Sequence, residues 1–147
     1  MSIRYVLVGK DMKTNLADYA ADKGQYQLAI QELLKKLKPN RRKAYTSKDC
    51  MVYTYCTESL QFMCITDKQY KIEVAYNFLE AVKKALYGKY TEQQINDALS
   101  ASESFGPVLK ALVDEYNLNP EDPAKKVIAD LQELNNQTSD NLSMFLP

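Results

Sequence analysis

Apolar and polar positions alternate over residues 51–56, with Met51, Tyr53 and Tyr55 on one side and Val52, Thr54 and Cys56 on the other. A period of two with β-branched and aromatic side chains predicts a half-buried strand. The polar Thr57, Glu58 and Ser59 break the pattern as a hairpin connection does, and residues 60–66 restore it. From Ile72 the period becomes helical: Ile72, Ala75, Leu79, Val82 and Leu86 form one stripe, widened by Phe78 and Ala85. Asp67 stands where a side chain can cap this helix, and Gly88 where a left-handed residue can close it. The stretch predicts an antiparallel hairpin with a helix laid across it.

Upstream, residues 3–10 (IRYVLVGK) have strand length and apolar character, residues 10–13 are a polar break, and residues 14–20 form a weaker strand, giving a first hairpin. Gly24 precedes a helix expected over residues 25–38, in which Tyr26, Ile30, Leu33, Leu34 and Leu37 make one stripe and Leu28 points the opposite way. Pro39 stops it. Residues 38–43 (KPNRRK) read as a basic loop; the alternatives are a solvated connection and a contact for acidic lipid headgroups. Residues 44–47 supply a third strand, so five are expected in all. Thr91 with Gln94 makes a capping box, and Gly106 with Pro107 opens a further helix carrying Phe105, Val108, Leu109, Leu112 and Tyr116 on one face. Strands and helices in this order predict an α+β sandwich.

The polar, proline-bearing stretch NLNPEDP (117–123) marks a boundary. Beyond it Ala124, Val127, Leu131, Leu134, Thr138, Asn141 and Phe145 recur at steps of three and four, a heptad seam with two polar positions.

Composition narrows the function more by exclusion than by signature. A chain of 147 residues supports one core. Its 19 lysines and arginines balance 19 aspartates and glutamates, so no nucleic-acid partner is expected. With no apolar run long enough to span a bilayer and no signal segment at Met1, the chain as given is expected to be soluble and not secreted. Cys50, Cys56 and Cys64 lie inside strand patterns without CxxC spacing, which fits buried reduced thiols better than a disulfide or zinc framework. There is no histidine, and the four glycines are scattered, so no triad, nucleotide loop, metal or cofactor is expected. Asp67 and Glu73 are explained by a helix cap and a solvent face; the tyrosines are not interleaved with basic residues as single-strand binding requires. A binding module is expected rather than an enzyme; the enzyme alternative would use Cys50 or Cys56 as nucleophile.

The segment CITDKQYKIEVAYNFLEAVKKAL (64–86), with IRYVLVGK at the start and SESFGPVLKAL (102–112), resembles the longin domain of the long R-SNAREs of the tetanus-insensitive type. The tail DPAKKVIADLQEL (122–134) is similar to the beginning of an R-SNARE motif, closer there to that of the prenylated longin SNAREs. The resemblance implies a profilin-like α-β-α sandwich: a five-stranded antiparallel sheet with one helix on one face and two on the other. It implies a longin domain over 1–117, a linker over 118–123 and the N-terminal part of an R-SNARE motif over 124–147.

The implied function is regulation of vesicle trafficking and fusion at the cytoplasmic face of endomembranes, through a groove that receives the chain's own SNARE segment or a partner. Carried over, the groove would use Tyr26, Leu33, Leu37, Ala44, Tyr45 and Thr46. The SNARE layers would be Val127, Leu131, Leu134, Thr138, Asn141 and Phe145. The implied partners are Q-SNARE helices with a full-length motif, and trafficking regulators or adaptors. The seam would put the family's central arginine one position beyond Pro147, so the motif is expected to be truncated here, with any membrane anchor missing. The alternative is a non-fusogenic longin-type adaptor or trafficking-complex subunit.

Overall fold

The alternating runs become a single sheet. A computed structural model describes residues 2–11, 14–21, 26–46, 50–97, 102–118 and 139–141. In it β1 (Ile3–Lys10) pairs antiparallel with β2 (Thr14–Ala20), as the hairpin reading expects. The register slips between Val8 and Gly9, where the strand bulges. A side chain on Gly9 would come within 3.2 Å of Leu34 Cδ1 and 3.3 Å of Gln61 Oε1, so the missing Cβ lets the helix above settle on the strand.

β3 (Arg41–Thr46), β4 (Cys50–Cys56) and β5 (Leu60–Asp67) follow, each antiparallel to the next, and β5 returns to pair with β1. β3 begins three residues before the expected 44–47; Ser47 lies outside the described residues. Half of the expected basic loop is therefore strand, because pairing Arg41 with Cys56 and Arg42 with Tyr55 overrides a locally polar composition.

The sheet divides the core in two. On one face lies α1 (Gln27–Leu34), two residues shorter at its start and four at its end than the apolar stripe implies. Its last turn tightens: the Lys36 N–H donates to the Leu33 carbonyl (2.9 Å) and the Leu37 N–H to that of Leu34 (3.4 Å), which still delivers Leu37 to the core. Asn40 then turns the chain in a left-handed conformation (φ 56°), its N–H donating to the Thr57 carbonyl. Gly24 and the Leu28 side chain lie outside the described residues.

On the other face lie α2 (Ile72–Lys89) and α4 (Ser102–Leu118), with the short α3 (Glu92–Asp97) between them. The α2 stripe buries Ala75, Phe78, Leu79, Val82 and Leu86, each large apolar member contributing about 1.5–3 kcal/mol. Phe78 meets Tyr116 of α4 edge-on, ring centroids 5.4 Å apart. The capping box before α3 is formed: the Thr91 N–H donates to Gln94 Oε1 (2.8 Å) and the Gln94 N–H to Thr91 Oγ1 (3.1 Å). The expected five antiparallel strands, with one helix on one face and two main helices on the other, are all present.

Three local expectations are corrected. Asp67 does not cap α2, which starts after an extended Lys71 with no side-chain cap. Its carboxylate instead accepts from the Ser2 N–H (2.9 Å) and from Arg4 Nε (2.7 Å), with Arg4 Nη2 at 2.6 Å, closing the start of β1 onto the end of β5. Gly88 is not a left-handed terminator: α2 runs through it to Lys89 and stops at an extended Tyr90. α4 begins at Ser102, ahead of Gly106, and contains Pro107 near its start. It runs through Leu118, into the first two residues of the stretch 117–123. Asn117 belongs to the body: its Oδ1 accepts from the Ile3 N–H (2.7 Å) and its Nδ2 donates to the Ile3 carbonyl (3.2 Å), so one side chain satisfies both backbone groups.

Burial acts to raise the Asp67 pKa, but the hydrogen bond and charge of Arg4, with Ser2, outweigh it and hold the carboxyl below its ordinary range. A lowered carboxyl contributes stability above its unfolded pKa and loses it as pH falls through the folded value. Asp67→Asn is expected to cost about 1 kcal/mol at neutral pH. In denaturant titrations the gap to the parent chain should close below about pH 4; a gap unchanged in acid would count against this pairing. Asn117→Ala, stranding both groups of Ile3, is expected to lower stability by about 1–3 kcal/mol, measured the same way.

Candidate binding site between the first helix and the third strand

The side chains that build this region come from one stripe of α1 and from every second residue of the strands beneath it. Tyr26, Ile30, Leu33, Leu34 and Leu37 pack on Tyr5, Leu7, Tyr45, Val52, Met63 and Ile65. Tyr26 tilts over Tyr5 with ring centroids 5.7 Å apart, and the Tyr5 hydroxyl donates to Asp18 Oδ2 (2.7 Å). Burial, followed by this carboxylate contact, pushes the Tyr5 phenol well above its usual range, so it stays a neutral donor.

Four of the six expected groove residues are thereby brought together: Tyr26, Leu33, Leu37 and Tyr45. Their exposures are 7, 2, 6 and 4 %, which places them in the core layer beneath the helix. The other two belong elsewhere. Ala44 is buried in the opposite core with α2 and α4, and Thr46, two residues on, shares its side of the strand. Three consecutive strand residues cannot line one groove, because a strand turns alternate side chains to opposite faces.

Beside α1 runs the backbone edge of β3. A short strand of the tail, β6 (Ser139–Asn141), pairs with it in parallel, Ala44 opposite Ser139, Tyr45 opposite Asp140 and Thr46 opposite Asn141. The sheet thus runs β2-β1-β5-β4-β3-β6. Periodicity in the sequence points to a helix here, whereas Asn141 is extended in this structure and lies opposite Thr46. Val127, Leu131, Leu134, Thr138 and Phe145, with the linker beyond Leu118, lie outside the described residues. The polar run around Ser139 carries no strand signal; only the unpaired edge of β3 explains pairing there.

The outer half of β3 shows the same division of faces. Arg42 turns toward α2, its guanidinium 4.6 Å from the Tyr55 ring centroid and 6.0 Å from that of Tyr76. Lys83 of α2 donates to the Tyr55 hydroxyl (3.1 Å). Arg41 and Lys43 project from the other side.

The longin family pattern, described as a regulated-SNARE-like domain, matches residues 16–109, from the first hairpin into α4. The chain belongs to the longin family. Among relatives of this longin chain, vesicle-associated membrane protein 7B of Dictyostelium discoideum is 25% identical over 141 residues, covering 92% of this chain and 53% of that protein. Vesicle-associated membrane protein 7 of Homo sapiens is 25% identical over 123 residues, covering 81% of this chain and 54% of its own length; the Mus musculus protein gives the same figures. The longin chain spans about half the length of these curated relatives.

The longin SNARE family is not enzymatic, and the thiols agree with that. Cys50, Cys56 and Cys64 are free and buried. Burial pushes the Cys56 thiol up to about 12 and that of Cys64 upward as well, so neither supplies a thiolate at neutral pH. Among the described residues no group of histidine, cysteine, aspartate and glutamate side chains is placed to hold a metal ion. Alkylation of Cys56 in the native protein is expected to follow global unfolding, at a rate that rises with denaturant; rapid labelling in native buffer would contradict this.

Proposed function

We propose that this chain is the regulatory longin domain of an R-SNARE in vesicle trafficking, and that the edge of β3 beside α1 receives the chain's own tail. The observation that carries the reading is the parallel pairing of Ser139–Asn141 with Ala44–Thr46. Family membership and vesicle-associated relatives support the trafficking role. The chain then acts at the cytoplasmic face of endomembranes or vesicles. Residues 124–147 form the first part of the SNARE segment, joined to the longin body by 118–123. Q-SNARE helices are the partners of a chain carrying the whole motif, and trafficking regulators compete with the tail for the same edge.

The energetics suit a switch. Backbone hydrogen bonds of a three-residue ladder contribute about 0.5–1.5 kcal/mol each. Ordering each residue costs about 1–2 kcal/mol. The two nearly cancel, so a partner with modest preference for the released tail moves the population. Pairing as a strand also withholds Asn141 from a helical SNARE layer, so closure and assembly exclude each other at that position.

Asp140→Pro interrupts the tail strand without touching the body. The amides of Ala44–Thr46 that face away from β4 are expected to exchange about tenfold faster in this variant, while those of β1 and β5 keep their rates. In a chain that continues through the full motif, the same substitution should speed assembly with Q-SNARE helices. Identical exchange in parent and variant would remove the closed state from the mechanism.

A further inference from the structure

Where α1 hands over to β3, the tightened turn leaves a pocket of about 80 Å3. Four cations line it, Lys36, Lys38, Arg41 and Lys43, above a buried floor that includes Thr54 and Cys56. No acidic side chain lines it among the described residues. In a chain whose charges balance, this is a local concentration of one sign. Lys36, Lys38 and Arg41 are exposed, whereas Lys43 is half-buried with its ammonium 5.2 Å from the Tyr45 ring centroid, which fixes its stem against the strand.

Part of this charge has a local explanation, since cations beside the C-terminus of α1 offset its dipole. That accounts for Lys36 and Lys38 at the end of the helix but not for Arg41 and Lys43. Those two reach the same pocket because the alternation of β3 turns residues 41 and 43 to the α1 side, opposite to Arg42. At the floor the Thr54 hydroxyl donates to the Lys43 carbonyl (2.8 Å), and the Cys56 thiol stays protonated.

We propose that this pocket binds a phosphomonoester presented by a lipid headgroup at a membrane surface. Such a group carries a charge of about −1.5 to −2 with three strong acceptor oxygens, which matches converging ammonium and guanidinium donors. The pocket offers a protein partner little else to hold. Its apolar members, Leu37 and Tyr45, are buried, and the exposed large hydrophobic residues among those described, Tyr87 and Leu118, lie elsewhere. A peptide needs a desolvated anchor of the kind that carries interface energy, whereas a headgroup needs charge on a protruding surface. The turn at Asn40 provides that surface. The residues that line it belong to α1, β3, β4 and the turn between α1 and β3.

Co-sedimentation of the whole chain with phosphatidylcholine vesicles provides the test, a few mole per cent of a phosphatidylinositol monophosphate being compared with phosphatidylserine at equal total charge. Binding to the phosphomonoester vesicles is expected to be about tenfold the stronger, and soluble inositol phosphate should compete. Lys38→Glu with Arg41→Glu, both exposed, should abolish the difference, each cation near a surface being worth about fivefold in affinity. Lys84→Glu with Lys89→Glu on α2 makes the same change of net charge elsewhere and should leave binding intact. Thermal unfolding of both double variants confirms that they fold. Equal binding to both anionic vesicles, or equal loss in the two double variants, reduces the effect to diffuse charge and overturns the proposal. Binding of soluble inositol phosphate or of a phosphopeptide without vesicle binding overturns the membrane as its source.

Discussion

The middle strand has to be covered on both sides, and the rest of the architecture follows from that. Every residue of β5 from Leu60 to Thr66 is buried, so each face of the sheet needs its own apolar cover. α1 supplies one with a short stripe, and α2 with α4 supply the other with two longer helices. β1 and β4 flank β5 and keep it from being an edge, which leaves β2 and β3 at the margins of the five-stranded body. α4 packs against β2. β3 keeps an outer row of backbone donors and acceptors, and an extended segment can satisfy it. The surface available to a partner is therefore set by the same constraint that sets the core.

Alternation along β3 then decides what each of its residues can do. Arg41, Lys43 and Tyr45 belong to the α1 side, while Arg42 and Ala44 belong to the side of α2. One run of three basic residues is thereby split between two environments. Arg42 lies against the rings of Tyr55 and Tyr76, and its neighbours join the lysines that follow α1. Tyr45 ties these regions together: its side chain is part of the α1 core, while its backbone lies opposite Asp140 of the tail strand. A partner that separates β6 from β3 thus acts beside the core without having to open it.

The closures of the body rely on polar groups whose sequence context points elsewhere. Asp67 and Asn117 each fasten the start of β1, the first to the end of β5 and the second to the end of α4. Read locally, one is a helix cap and the other the beginning of a linker. Both do work at a long sequence separation, the length of the domain in the case of Asn117, and no window of neighbouring residues contains their partners.

Local pattern by itself determined the strands β1 and β2 to the residue, β4 and β5 to within one, the existence of α1, α2 and α4, and the α+β class. Period-two and period-3.6 burial is a property of the segment, and a sheet or helix merely realises it. It also determined that the cysteines are core residues, because apolar strand context and the absence of metal spacing are both local. Tertiary structure decided the rest. Pairing with β4 drew Arg41, Arg42 and Lys43 out of a loop. The pleat sent Ala44 and Thr46 away from the helix that Tyr45 faces. Packing carried α2 through Gly88 and started α4 ahead of Gly106. An unpaired edge, which exists only once five strands are assembled, turned a helical repeat at Asn141 into a strand; a chain read one segment at a time has no edges.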